Sequence, residues 1–354
     1  MKKLNKLIKI LTKGSGLNYS QLFNLFKYSV SRKGNVLSYA PIAINLFTTD
    51  NCNFNCEFCP HHSKLIDKKY EFFHEKTPDF NLEKFKRVLD VFPKTILITF
   101  AGVGEPLLNR DLFDMADYAK LKKMYLQIIT NGSLMNEEKV ERIIANLNIL
   151  SISVSLNAVN SQKYSESFDG NKGFFEKVIQ NIENLVKRKK ETKHPLEIGL
   201  SFVVHKKNIA DTKSFIEFSQ KLGVDTVNLL NLIDFGISDF DIENQLYDND
   251  KEIINQFNDL KDFASKSNIK VVLPILMSSE VKKNCNWFFR SISIDGAGNV
   301  GGCGRVINPS KEYGNVFKEG KSVWNNNYFQ KMREIYLNPE KELFDCCKKC
   351  VENN

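Results

Sequence analysis

No apolar run in this sequence reaches the roughly 18 residues that a bilayer-spanning helix needs, so a transmembrane helix is not expected. The stretch LIKIL near the N-terminus is too short for the apolar region of a signal peptide, and no small-residue cleavage site follows it. A reducing cytosol is therefore the expected setting. Glycine and proline, at 18 and 9 residues, sit at ordinary levels and no internal repeat is apparent, which argues against fibrous or disordered chains. Acidic side chains are absent from residues 1–49, which carry eight basic ones: Lys2, Lys3, Lys6, Lys9, Lys13, Lys27, Arg32 and Lys33. The formal net charge is +8, so the remaining 305 residues (354 less 49) balance to zero. A basic arm on a neutral body argues against a nucleic-acid groove running across the protein. Cysteine is scarce, eight residues in 354. It is also clustered, as metal ligands or catalytic thiols in a reducing compartment would be.

What is present can build a large core, with 42% of residues hydrophobic and 27 phenylalanines. In residues 1–40, LNKLIKIL (4–11) and SQLFNLFKYSV (20–30) place apolar residues at helical spacing between lysines. They read as helices packing on the main domain or, since they are basic and amphipathic, as a membrane-surface element. From residue 43 strands and helices alternate. The strands are AINLFTTD (43–50), TILITFA (95–101), MYLQIIT (124–130), NILSISVSL (148–156), EIGLSFVV (197–204) and DTVNLLNL (225–232). Apolar strands alternating with helices predict an α/β fold with a parallel sheet, a partial (β/α)6 barrel over residues 41–274. Its functional residues should lie beyond the carboxyl ends of the strands. Residues 275–354 form a short-stranded tail with the other five cysteines.

Cys52, Cys56 and Cys59 lie in DNCNFNCEFCPHH, just past the first strand. Three thiolates from one loop can hold three irons of a cubane cluster and leave the fourth open. Zinc, with His61 or His62 as the fourth ligand, is the ordinary alternative.

The spacing C-x3-C-x2-C with Phe58 between the last two cysteines resembles the radical S-adenosylmethionine superfamily. AGVGEP follows the second strand, and its Gly102, Val103, Gly104 and Glu105 are similar to the family's Gly-Gly-Glu motif, which meets the methionine moiety. TNG with Asn131, and SVSLNA with Ser155 and Asn157, are similar to the segments that contact the ribose, although the family often has Asp where Asn157 stands. The resemblance covers roughly residues 42–235 and, separately, the tail. It implies S-adenosylmethionine and a [4Fe–4S] cluster as cofactors, and a 5′-deoxyadenosyl radical that removes hydrogen from substrate.

In the tail, Cys285, Gly298 and Cys303, followed by Cys347-x2-Cys350, resemble a shortened SPASM domain of the twitch type. That likeness implies a second, auxiliary [4Fe–4S] cluster, with Cys346 competing with Cys347 for one ligand position. A four-cysteine zinc knuckle is the alternative. SISIDGAGNVGGC reads as a hairpin turning near Asp295-Gly296.

The expected protein is a cytoplasmic oxidoreductase. It dehydrogenates a small polyol, amino sugar or cyclitol, with the auxiliary cluster accepting the second electron and a flavodoxin or ferredoxin-type partner as reductant. Peptide modification and redox-neutral epimerisation with a spare cysteine are the enzymatic alternatives, and a simple electron-transfer protein is the alternative from another class. His205, Arg305 and Cys346 are the catalytic candidates. Residues 1–33 are the candidate contact with the anionic inner face of a membrane.

Overall fold

The structure is a computed structural model that describes residues 16–59, 61–64, 76–168, 173–233, 243–278, 280–304, 313–348 and 350–353. The helix expected over residues 4–11 lies outside them. The six expected strands are present as β1 (Ala43–Phe47), β2 (Leu97–Ala101), β3 (Tyr125–Thr130), β4 (Ile149–Ser155), β5 (Glu197–Val204) and β6 (Thr226–Asn231). Three more complete the sheet: β7 (Lys270–Val272), β8 (Ser291–Ile294) and β9 (Val300–Gly301). Their order is β7-β6-β5-β4-β3-β2-β1-β8-β9, open at both edges, with β1 to β7 in sequential parallel register. This is a partial barrel.

Alternation along the strands assigns the two faces. Ile44, Leu46, Ile98, Phe100, Leu126, Ile128, Ile152 and Val154 are buried in one cluster with Phe85, Leu89, Met115, Val140 and Ile182 from the covering helices. Asparagine N-caps start several of those helices. Asn81, Asn136 and Asn160 each accept from the backbone N–H three residues on, at 2.9, 3.1 and 3.0 Å. The strands read in sequence as near-continuous apolar runs, but their other face is polar. Asn45 donates to Ser293 (3.3 Å), Thr99 to Gln127 (3.5 Å), and the hydroxyls of Ser153 and Ser201 share a bond of 2.6 Å.

The tail is continuous with this sheet. β8 lies parallel to β1, and β9 returns antiparallel to β8. The expected hairpin forms through Asp295–Asn299. Asp295 Oδ1 accepts from the backbone of Ala297 and Asn299, and Gly298 takes the left-handed conformation at φ +85°.

The helix Tyr19–Val30 begins with a capping box between Asn18 and Gln21 and closes the end of the barrel opposite the carboxyl ends of the strands. Leu25 packs there with Ile96 and Tyr125. Among the described residues no helix is long and apolar enough to cross a membrane.

Candidate active site

Main-chain contacts frame the carboxyl ends of β1 and β2. Gly104 N–H donates to Thr49 O (3.0 Å) and Glu105 N–H to Asn51 O (2.8 Å), so the AGVGEP turn lies directly against the start of the cysteine loop. A Cβ on Gly104 would stand 2.1 Å from Asn51 O, and one on Gly102 would stand 2.2 Å from Gly104 O. Only glycine permits that approach. Val103 packs on Phe47, the last residue of β1.

Glu105 is buried and its carboxylate points toward the end of β3. Oε1 accepts from Thr130 Oγ1 (2.6 Å) and Leu107 N–H (3.0 Å), and Oε2 accepts from Asn131 N–H (2.7 Å). Burial raises its pKa against these hydrogen bonds. Asn131 donates to Asn53 Oδ1 (2.9 Å), and Asn53 in turn donates to Ser133 Oγ (2.9 Å). The cysteine loop is thus tied to β3 by Asn53, which sequence reading did not single out.

Cys52, Cys56 and Cys59 lie along this loop, with Cys59 N–H donating to Cys56 O at 3.0 Å. Buried Phe54 seats the loop among the rings of Tyr164, Phe168 and Phe174. Burial, aided by Glu105 and Cys59, pushes Cys52 up to about 11. Burial, aided by Cys59 and Cys52, pushes Cys56 further still, and burial also raises Cys59. Thiols whose ionisation is disfavoured by burial and by one another suit a polycationic iron core, which would draw off their protons. Among the described residues no three His, Cys, Asp or Glu side chains converge as ligands of one ion would.

Beside Phe58 opens a cavity of about 310 Å³, lined by Asn157, Lys163, Val203, His205 and Asp211 among others. Its size suits a nucleoside-scale ligand. Asn157 adopts φ +53°, and its Oδ1 accepts from Val203 N–H (2.7 Å), so that oxygen is spent on the end of β5. Ser155 is half-buried at the end of β4. Burial, and next Lys207, draws His205 down to about 4, leaving it neutral at pH 7. Lys163 and Asp211 form an ion pair of 2.5 Å at the cavity, a pairing invisible at their separation in sequence.

The tail cysteines gather around Asn353, which is buried. Its side chain accepts from Cys285 N–H (3.2 Å) and donates to Cys347 O (2.8 Å) and the Tyr336 hydroxyl (3.1 Å), and Cys350 O accepts from its N–H (2.9 Å). Burial, aided by Cys303 and Cys350, pushes Cys285 up to about 12. Next to Cys303, a Cβ on Gly304 would stand 3.8 Å from the Phe47 ring, so this segment lies against the strand from which the cysteine loop departs. Cys346 and Cys347 share the helix Asp345–Lys348, where Cys347 is buried. Arg305 lies outside the described residues.

Comparison with known proteins adds the following. The family model described as "Radical SAM superfamily" matches residues 46–229. The tungsten-containing aldehyde ferredoxin oxidoreductase cofactor-modifying protein of Pyrococcus furiosus is 26% identical over 297 residues, 82% of this chain and 77% of its own length. The antilisterial bacteriocin subtilosin biosynthesis protein AlbA of Bacillus subtilis is 23% identical, covering 86% of this chain, which spans 64% of AlbA. Among solved structures, Streptococcus suis SuiB bound to S-adenosylmethionine superposes with a TM-score of 0.67 at 14% identity, covering 90% of this chain and 73% of SuiB. Native anSMEcpe with bound AdoMet gives 0.63 at 17%, covering 88% and 87%. At those identities the likeness is one of fold.

Proposed function

The chain belongs to the radical SAM superfamily, an iron–sulfur enzyme family that uses S-adenosylmethionine, and from that premise we propose that it dehydrogenates a carbon bearing a hydroxyl or amine on a small, hydroxyl-rich substrate such as a polyol, amino sugar or cyclitol. When bound, the [4Fe–4S] cluster supplies reductive cleavage of S-adenosylmethionine to a 5′-deoxyadenosyl radical that takes hydrogen from the substrate.

Cys52, Cys56 and Cys59 would hold that cluster. Gly102, Val103 and Gly104 bring backbone groups to the methionine moiety, while Glu105 fixes the turn from behind. Phe58, Asn131, Ser155 and Asn157 shape the nucleoside end, and His205 lines the same cavity, where burial keeps it neutral. Cys285, Cys303, Cys347 and Cys350 would hold an auxiliary [4Fe–4S] cluster, which would supply an acceptor for the second electron. The barrel 41–274 and tail 275–354 are the working units of this reading, in a cytoplasmic enzyme served by a flavodoxin or ferredoxin-type reductant. Residues 1–40 form its arm, in peripheral contact with the membrane.

One observation carries the substrate class. Beyond the Glu197–Lys270 pair at its amino end, the sheet face turned away from the helices presents Asn45, Thr99, Gln127, Ser153, Ser201, Asn228 and Ser293, all neutral donors or acceptors. Amides and hydroxyls match hydroxyl-bearing substrates group for group, whereas a phosphorylated substrate would call for Arg or Lys. Peptide modification is the second reading, favoured by the names of AlbA, a bacteriocin biosynthesis protein, and of SuiB, solved with a precursor peptide.

The test is anaerobic turnover of the reconstituted enzyme against panels of polyols, amino sugars and cysteine-containing peptides. A polyol or amino-sugar product lighter by two hydrogens, with one S-adenosylmethionine consumed per product, supports the first reading. A modified peptide alone supports the second. An isomer of unchanged mass, carrying solvent deuterium in heavy water, would mean epimerisation.

A further inference from the structure

The helix Tyr19–Val30 is turned inside out. Its buried residues are Gln21, Asn24 and Leu25, while Tyr19 (92%), Phe26 (58%) and Val30 (60%) are exposed, together with Leu22 and Phe23. The polar side faces inward because the amino ends of the strands offer carbonyls there. Gln21 Nε2 donates to Thr95 O (3.0 Å), and more weakly to Lys123 O (3.3 Å) and Lys122 O (3.4 Å). Asn24 Nδ2 donates to Ala40 O (3.1 Å), and its Oδ1 accepts from Ala40 N–H (2.8 Å). A soluble helix with its aromatic stripe in water is the reverse of the usual arrangement.

The surroundings supply the charge. Lys27 lies over the Phe23 ring at 5.0 Å. Lys94, Lys122 and Lys123 belong to the loops that Gln21 and Asn24 grip, and Leu121 beside them is 78% exposed. Asp90 faces Lys122 at 4.0 Å. Farther round this end, Asp225 and Glu197 face Lys189 and Lys270. The preceding sequence adds Lys2, Lys3, Lys6, Lys9 and Lys13, and no acidic residue precedes Asp50.

We propose that this end of the barrel docks on an anionic lipid bilayer, with Tyr19, Leu22, Phe23, Phe26 and Val30 entering the interface and the lysines around them meeting lipid phosphates. The inference deepens the peripheral location proposed above by naming the docking face and the orientation. The cofactor frame lies at the opposite ends of the strands, so the docked enzyme presents its mouth to the solution and takes a soluble substrate.

The test uses the full-length, reconstituted protein with vesicles of phosphatidylcholine alone or mixed with phosphatidylglycerol, read by co-sedimentation. Binding to the anionic vesicles that weakens with salt, and falls about tenfold or more in Phe23→Ser/Phe26→Ser, is the expected result. Iron content and S-adenosylmethionine cleavage are read on the same samples and should not change. A catalytic failure therefore leaves the docking result standing, and the reverse also holds. Absence of binding overturns the proposal, as does equal binding to neutral vesicles. Undiminished binding by the double variant also overturns it, shifting the contact to residues 1–15. A dimer that the double variant abolishes, without vesicle binding, assigns the face to a second copy instead.

Discussion

The backbone N–H of Asn131 donates to Glu105 Oε2 at 2.7 Å, joining the end of β3 to the turn that follows β2. The glutamate sits among the residues that resemble the family's cofactor motif, yet three protein donors already engage its carboxylate. Glu105→Ala would strand the donors of Thr130, Leu107 and Asn131 in a buried site. Each such orphan costs about 1–3 kcal/mol, so the variant should unfold at markedly lower denaturant. Thr130→Val, which removes one donor, should show a smaller loss of the same kind. Equal stability of Glu105→Ala and the parent would return the carboxylate to a role in direct ligand binding.

Iron separates the two cysteine sets. Reconstituted protein should hold about eight irons, and Cys52→Ala/Cys56→Ala/Cys59→Ala should hold about four and cleave no S-adenosylmethionine. Stoichiometric zinc in place of iron would end the cluster reading.

In the tail, Cys347→Ala should lose the auxiliary iron while Cys346→Ala retains it and still turns over, because Cys347 is buried and its carbonyl shares Asn353 with Cys285. Asn353→Ala should behave like Cys347→Ala in iron content. Loss of turnover in Cys346→Ala with all iron retained would instead make that thiol a hydrogen donor.

His205 gives a pH signature. Burial holds it down to about 4 from the ordinary 6.5, so below 6.5 the unfolded chain takes up a proton that the folded one refuses. Its contribution is neutral above pH 6.5 and is lost as pH falls toward 4. His205→Gln should flatten the fall in stability over that window. Parallel profiles for variant and parent would deny the group its buried, neutral state.

The strands β1 to β6 and the cysteine loop were legible because each depends on local pattern: apolar runs, helix punctuation and close thiol spacing. The pairing of β8 with β1 was not, since nothing local in SISI names a partner near residue 43. Asn53, Lys163 and Asp211 were missed because their meaning lies in contacts across the fold. The helix Tyr19–Val30 was legible as a helix, but its inward side was not. Periodicity selects the apolar stripe as the packing face, whereas the strand-end carbonyls select Gln21 and Asn24. The polar inner face of the barrel hid in the same way, as serines inside runs such as ILSISVS.

Gly104, pressed against Asn51 O, has a bearing on how such an enzyme changes over evolutionary time. The ends of β1 and β2 are locked by main-chain donors and acceptors, which every residue type except proline provides. Replacement of neighbouring side chains therefore leaves the frame standing, and the neutral lining of the barrel can be rewritten for a different substrate without rebuilding it. Little of that latitude extends to Gly102 and Gly104, where a single methyl group would meet backbone. Descendants of this chain could come to share few residues with it and still present the same scaffold.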